Sequence, residues 1–204
     1  MSTAKDSSTE EKILQAAEQE FIEKGLSGAR MQQIADKAGI NKALLHYYYR
    51  SKDKLFEVIF KTAFQAFFPK FKRIINDDID LFDKIRGFVN EYITLILKNP
   101  NIPIFILHEL NSNPDRLSIF FSQINIALQP LKLHINKEVE AGNIRPIEAE
   151  TLIINIIALC VFPVIAKPIV KVVLFNNDLE AYNLMIEKRK TEVAEFVINS
   201  IKIN

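Results

Sequence analysis

Apolar positions recur every three or four residues along most of the chain, the period of helices with one face turned inward. Ile13, Leu14, Ala17 and Phe21 form the first stripe. Ser8-Thr9-Glu10-Glu11 precedes it as a capping box, in which a Ser hydroxyl takes the N3 amide and Glu11 reaches back. Gly25 predicts its end. After a connection over residues 26–30, Met31, Ile34, Ala35 and Ala38 define a brief second helix stopped by Gly39. Asn41 is placed to cap a third, over residues 42–49. Ser51 caps a fourth, running through Leu55, Phe56, Ile59, Phe60, Ala63 and Phe67, which Pro69 must kink or end.

A larger helical body follows. Residues 80–98 turn Leu81, Ile85, Phe88, Val89, Tyr92, Leu95 and Ile96 inward. Residues 102–110 are short and apolar. Residues 114–141 make a long helix with a kink at Pro130, closed by Gly142. Residues 147–162 are apolar nearly all round, which argues burial on more than one side. Pro163 and Pro168 distort what comes next. The last amphipathic helix, 178–202, has Tyr182, Met185, Ile186, Val193, Phe196, Val197 and Ile201 on its apolar side. No run alternates with period two between hairpin turns. The pattern predicts an all-α fold of about nine helices, with a small N-terminal domain over 8–54 and a larger C-terminal one over 55–204.

Composition fits this reading. Glycine is scarce, with 5 residues, and there is no tryptophan. Cys160 is the only cysteine, so no intramolecular disulfide can form, and its apolar surroundings predict a buried, inert thiol. The most apolar stretch, 152–166, is interrupted by Asn155 and Pro163 and falls short of the ~18–20 residues that span a bilayer. No apolar signal-like segment opens the chain. A cytoplasmic protein with no membrane partner is expected.

Charge adds a direction. The net charge is +1, but between Arg30 and Lys54 six basic residues (Arg30, Lys37, Lys42, Arg50, Lys52, Lys54) face two acidic ones. A local basic patch on a near-neutral chain suits a polyanion. It lies where two short helices are separated by Gly39-Ile40-Asn41, the form of a helix-turn-helix whose second helix enters the DNA major groove. Leu45 and Tyr49, four apart, can pack inward. Lys42, Ala43, His46 and Tyr47 then share the opposite face. His46, Tyr47, Tyr48 and Tyr49 cannot all turn inward, because successive helical residues step by about 100°. Aromatic packing between small helices is the competing explanation for this run. Lys52 can meet phosphate at the start of the next helix.

The stretch GLSGARMQQIADKAGINKALLHYYYRSKDKL, residues 25–55, resembles the DNA-binding domain of the TetR (tetracycline repressor) family, over roughly residues 8–68. The I-A-x-x-A-G turn, the short helix rich in Tyr and His, and the S-K-x-x-L start of the next helix occur in order. The resemblance implies that Gln32 and Gln33 lie where base or backbone contacts occur. It implies that Asn41, Lys42, Ala43 and Leu44 open the recognition helix, that His46, Tyr47 and Tyr48 meet phosphates and bases, and that Lys52 binds phosphate. Arg30 and Met31 depart from the family's usual Thr cap, though the guanidinium of Arg30 can reach phosphate. Leu44 stands for a usually polar residue and can touch only a thymine methyl. His46 stands for a usual Tyr, which makes that contact pH-sensitive.

The resemblance further implies a homodimeric repressor on a palindromic operator in double-stranded DNA, released by a small molecule bound in the C-terminal body. An apolar site with a few polar anchors fits Phe67, Phe71, Phe105, His108, Glu109, Phe121, Asn125, Asn155 and Phe162, although an ordinary core explains each of them singly. The last two helices are the expected dimer interface. His108-Glu109 and His134/Glu138 lack the ligand count of a metal site, so no metal or cofactor is expected. Two other readings stay open: a DNA-binding dimer without an effector, and a helical carrier or enzyme. The enzyme lacks a nucleophile–base pair, a Gly-rich phosphate loop or a metal set.

Overall fold

The computed structural model describes residues 3–98, 102–112 and 118–203. It contains ten helices there: α1 (Thr3–Gly28), α2 (Met31–Ala38), α3 (Lys42–Tyr48), α4 (Lys52–Asn76), α5 (Leu81–Lys98), α6 (Ile102–Ser112), α7 (Ser118–Glu140), α8 (Ala149–Ile165), α9 (Lys167–Phe175) and α10 (Leu179–Ile201). Among the described residues the only strand-like pairing is one antiparallel bridge, Ile144 with Lys202, where Arg145 N donates to Ile201 O at 2.7 Å. The fold is all-α.

Two compact units divide the chain. The first holds Met1–Ala66 and Ile104–Leu117, the second Phe67–Pro103 and Ser118–Asn204.

In the first unit, α1 begins at Thr3, so the expected capping box at Ser8 lies inside the helix rather than at its start. Gly25 does break it, with φ 66° and ψ 173°, a conformation that a side chain would strain. The chain then makes one more turn, ending at Gly28. Ile13, Ala17, Phe21, Ile34, Leu45 and Leu55 form a core that is sealed from solvent. Phe21 and Phe56 meet edge to face at 5.8 Å. Ile106 of α6 packs against the same core, a contribution that lies some forty residues beyond the rest of the unit.

The second unit is built on α5, α8 and α10, whose buried residues include Val89, Leu152, Ile156, Val193, Val197 and Ile201. Cys160 is buried among them, and burial pushes its thiol pKa up to about 12, so it is inert as expected. Lys84 is buried too. Its ammonium donates to the carbonyl of Ile75 at 2.8 Å, a cation set against the C-terminal end of α4. Asp178 caps α10 by accepting from the amides of Glu180 and Ala181 at 2.9 and 3.0 Å.

Three prolines fall inside helices without ending them: Pro69 in α4, Pro130 in α7 and Pro163 in α8. Each forfeits one backbone hydrogen bond, and the surrounding packing carries the helix through. The extra helix relative to the pattern is α9. After α8 the chain bends by 78° and restarts, with Pro168 in the first turn, where a missing N–H costs nothing. No single described helix is long and apolar enough to cross a membrane. Phe196, expected inward on α10, is 66% exposed. The α10 face that meets α5 and α8 is carried by Tyr182, Ile186, Val193, Val197 and Ile201 instead.

Candidate nucleic-acid interface

The turn between α2 and α3 is fixed by local chemistry. Gly39 adopts φ 69°, ψ 31°, and its amide donates to Asp36 O at 3.1 Å while Ile40 N donates to Ala35 O at 3.0 Å. This pair of bonds satisfies the last carbonyls of α2 and needs a left-handed residue at Gly39. Nothing lies within 4 Å of a Cβ built there, so the demand is on backbone conformation and not on space. Asn41 then starts α3, its Oδ1 accepting from Leu44 N at 2.7 Å. Its expected place at the DNA interface is thus accompanied by a structural task. Arg30 precedes α2 in extended conformation and makes no side-chain cap. Its side chain is exposed.

The α3 helix is anchored on one side only. Leu45 is fully buried, and Tyr49, the residue that ends the helix, is 6% exposed. The phenol of Tyr49 donates to Glu10 Oε1 of α1 at 2.8 Å. Burial first, and then the Glu10 carboxylate, hold that phenol well above the usual tyrosine range. Lys42, Ala43, Leu44, His46 and Tyr47 stand out from this anchor, with Tyr47 81% exposed. Tyr48 is half-buried, and its ring meets that of Tyr47 nearly at right angles, 5.7 Å between centroids.

His46 is held by its neighbour. Its Nδ1 lies 3.3 Å from the carbonyl oxygen of Arg50, which accepts a proton from that nitrogen. In the neutral ring this leaves Nε2 as an acceptor, suited to a base amino group. In the imidazolium Nε2 donates, suited to phosphate or guanine.

Several of the basic residues counted from the sequence are already engaged. Lys37 lies 2.8 Å from both Glu20 Oε2 and Glu23 Oε2. Lys54 pairs with Glu57 at 2.6 Å. Lys52 donates to the carbonyl of Ala29 at 3.0 Å, which ties the start of α4 to the α1–α2 connection. Arg30, Lys42 and Arg50 form no ion pair among the described residues and carry the free positive charge of the face. The buried member of this network is Glu20, wholly shielded from solvent. Burial alone would raise its pKa. Hydrogen bonds and charge from Lys24 and Lys37 outweigh that and hold its carboxyl below the usual range. Nothing in the helical pattern marks it, because a Glu at this position reads as solvated surface.

Gln32 and Gln33 sit side by side on α2. Gln32 Nε2 donates to Asp36 Oδ1 at 2.8 Å, and Gln33 Oε1 accepts from Lys24 Nζ at 2.9 Å.

The residues expected to line an effector site are placed as follows. Phe71 is buried with Ile75 and Ala127, its ring 5.6 Å from that of Phe88. Phe121 is half-buried. Asn125 is exposed and bonded to Gln129 at 3.2 Å. Asn155 is exposed, and Phe162 is 61% exposed. The side chains of Phe67, Phe105, His108 and Glu109 lie outside the described residues. A separate cleft of about 240 Å³ opens in the second unit, lined by Phe68, Lys72, Asn76, Ile126, Ala127 and Pro130, none of them in the expected set.

Residues 13–59 match the family model described as bacterial regulatory proteins, tetR family. The chain is 27% identical to the HTH-type transcriptional regulator RutR of Escherichia coli (strain K12) over 149 residues, 71% of this chain and 68% of that one. It is 23% identical to the nucleoid occlusion factor SlmA of Vibrio campbellii over 163 residues, 77% of this chain and 82% of that one. Its fold is similar to that of a linker-substituted mutant of HlyIIR, with TM-score 0.70 and 22% identity over 98% of this chain and 100% of that one. The helix-turn-helix, its exposed recognition face and these likenesses agree: residues 13–59 are a DNA-binding domain of the tetR-family type, and the chain is a DNA-binding transcriptional regulator.

Proposed function

We propose that the chain acts as a homodimeric repressor that reads a palindromic operator with α3 and leaves it when a small apolar ligand binds the C-terminal unit. The observation that carries the DNA reading is the one-sided anchoring of α3. Leu45 and Tyr49 are buried, while Lys42, Ala43, Leu44, His46 and Tyr47 are exposed. Exposed aromatics beside a lysine fit base edges, a thymine methyl and phosphates.

The dimer reading is supported by apolar surface on the last helices. On α8, Ile154, Ile157 and Phe162 are exposed at helical spacing, and on α10 Leu184 and Phe196 are exposed. α9 adds Ile169 and Val173, each 68% exposed. So much apolar area in water marks an association face. A second copy is the occupant that serves function, because two recognition helices about 34–36 Å apart read one two-fold site.

The effector reading rests on the apolar cleft at Phe68, Ile126, Ala127 and Pro130 in the C-terminal unit. It is smaller than the roughly 300–1,000 Å³ of common ligand sites, so the ligand is small or the cleft widens around it. A ligand that prefers one form of the dimer shifts the population away from DNA.

The test is a footprint on the intergenic DNA beside the chain's own gene. Protection should be symmetric about a dyad, and Lys42→Ala and Tyr47→Ala should abolish it while the dimer persists. Protection by both variants equal to that of the unmodified protein would refute the α3 reading.

A further inference from the structure

The two adjacent glutamines of α2 are held in opposite senses. An ammonium only donates, so the Gln33 atom 2.9 Å from Lys24 Nζ is the carbonyl oxygen. A carboxylate only accepts, so the Gln32 atom 2.8 Å from Asp36 Oδ1 is the amide nitrogen. These partners settle both amide orientations chemically. Gln33 keeps both of its amide protons to offer, whereas Gln32 has one of its two engaged and a carbonyl left over.

The neighbouring charges point the same way. Lys24 sits beside Gln33. Of its three protons one goes to Glu20 Oε1 at 2.8 Å and one to Gln33, which leaves a third. Asp36 sits beside Gln32 and makes no ion pair among the described residues. A DNA phosphate presents only acceptor oxygens and a negative charge. It meets two amide donors and an ammonium at Gln33 and Lys24, but at Gln32 a single remaining N–H flanked by a carbonyl and the repelling carboxylate of Asp36. The first helix of a helix-turn-helix crosses the DNA backbone, so one of these two faces must deal with phosphate.

We propose that Lys24 and Gln33 together bind one operator phosphate, and that Gln32, held by Asp36, binds none. Lys24 lies on α1, outside the residues that the sequence marks for DNA. Glu20, buried beneath it, fixes its position. Gln32 in this arrangement turns its carbonyl to an adenine or cytosine amino group or to water, and Asp36 keeps phosphate away from its remaining N–H. The inference rests on the helix-turn-helix reading above.

The experiment uses the full-length protein and two probes: a duplex recovered by the protein from a random pool, and an unrelated duplex. Gln33→Met should weaken binding to both probes about tenfold, since a hydrogen bond to a charged group is lost in each half-site. Gln32→Met should change binding to the unrelated duplex by less than about twofold. Gln33→Glu keeps a partner for Lys24, so its thermal midpoint should hold or rise while its DNA affinity falls at least as far as that of Gln33→Met. In the selected duplex, single phosphates are replaced in turn by neutral methylphosphonates. One position per half-site should weaken the unmodified protein and leave Gln33→Met unaffected, the signature of a direct pair.

Equal losses for the Gln32 and Gln33 variants, or no phosphate coupled to Gln33, would overturn the proposal. Lys42→Ala separates this failure from a wider one. If Lys42→Ala loses binding and Gln33→Met does not, only the phosphate assignment falls. If neither loses binding, the helix-turn-helix reading falls with it.

Discussion

The hydroxyl of Tyr49 donates to Oε1 of Glu10 across 2.8 Å, joining the end of the recognition helix to the first helix of the chain. Thirty-nine residues separate the two in sequence. Because Leu45 is the only buried residue within α3, this bond and the Tyr49 ring supply much of what sets the helix's angle. Tyr49→Phe keeps the ring and removes the bond. It should cost about 1 kcal/mol of stability in urea titration and no more, because Glu10 is exposed and water takes the place of the lost partner.

The same phenol predicts an alkaline limit. In the unfolded chain it ionises near its ordinary pKa, about 10. In the folded chain burial and Glu10 hold its proton to higher pH. The Tyr49 contribution to stability is therefore level below about pH 10 and declines as pH rises further. Tyr49→Phe should flatten that decline. A variant that loses stability above pH 10 as steeply as the unmodified protein would contradict the assignment.

Glu20 predicts the opposite limb. Its folded pKa lies below its unfolded one, so its contribution is full above the ordinary carboxylate range and is lost as pH falls through the lowered value. Glu20→Gln leaves Lys24 and Lys37 without their shared buried partner. A loss of about 3 kcal/mol is expected, read from denaturant midpoints at neutral pH. The loss should shrink as the pH is lowered.

Gly39→Ala tests the turn. The cavity is open, but a Cβ at φ 69° costs roughly 1–2 kcal/mol. Operator affinity should fall along with thermal stability, since the variant strains the α2–α3 angle itself. An alanine variant as stable as the parent would show that the turn relaxes without cost.

Salt dependence counts the cations available to DNA. Six basic residues lie between Arg30 and Lys54, but Lys37 and Lys54 are paired with carboxylates and Lys52 is turned to a carbonyl. Arg30, Lys42 and Arg50 remain for each protomer, and Lys24 joins them through the phosphate proposed above. For a dimer the slope of log K against log salt should be about −7 with these four, and about −13 if the engaged lysines counted as well. Filter-binding or anisotropy titrations distinguish the two.

The proposed dimer face should yield to charge. Ile154→Glu together with Phe162→Glu places carboxylates on exposed apolar positions of α8. Sedimentation should show a folded monomer with weakened operator binding. An undisturbed dimer would move the interface elsewhere.

What the sequence revealed about this protein was mostly local. The Gly39 stop, the Asn41 cap and the Leu45/Tyr49 anchor follow from spacing and turn chemistry, and all three occur. Long-range events were hidden. Glu10 meeting Tyr49 and Glu20 meeting Lys37 depend on how α1 lies against α2 and α3, which periodicity cannot express. Pro69 and Pro130 do not end their helices, because tertiary packing outweighs one lost bond at each. Phe196 joined the inward stripe of α10 by hydrophobicity alone. In the structure it stands outward, as the proposed dimer face requires. α9 is hidden in the pattern because Pro163 and Pro168 resemble a break, while Pro168 in a first turn favours a new helix.

The position of α6 limits how the protein can be taken apart. Its residues from Ile104 onward belong with the N-terminal unit, yet the chain on both sides of it belongs to the other. The polypeptide therefore passes between the units three times. No single cut frees either unit: a fragment ending at Ala66 lacks Ile106, and one starting at Phe67 keeps α6 without the core on which it packs. Grafting this reading head onto another regulator would have to carry two separate stretches of sequence, so operator preference and the remaining body are expected to have diversified together rather than been exchanged as interchangeable modules.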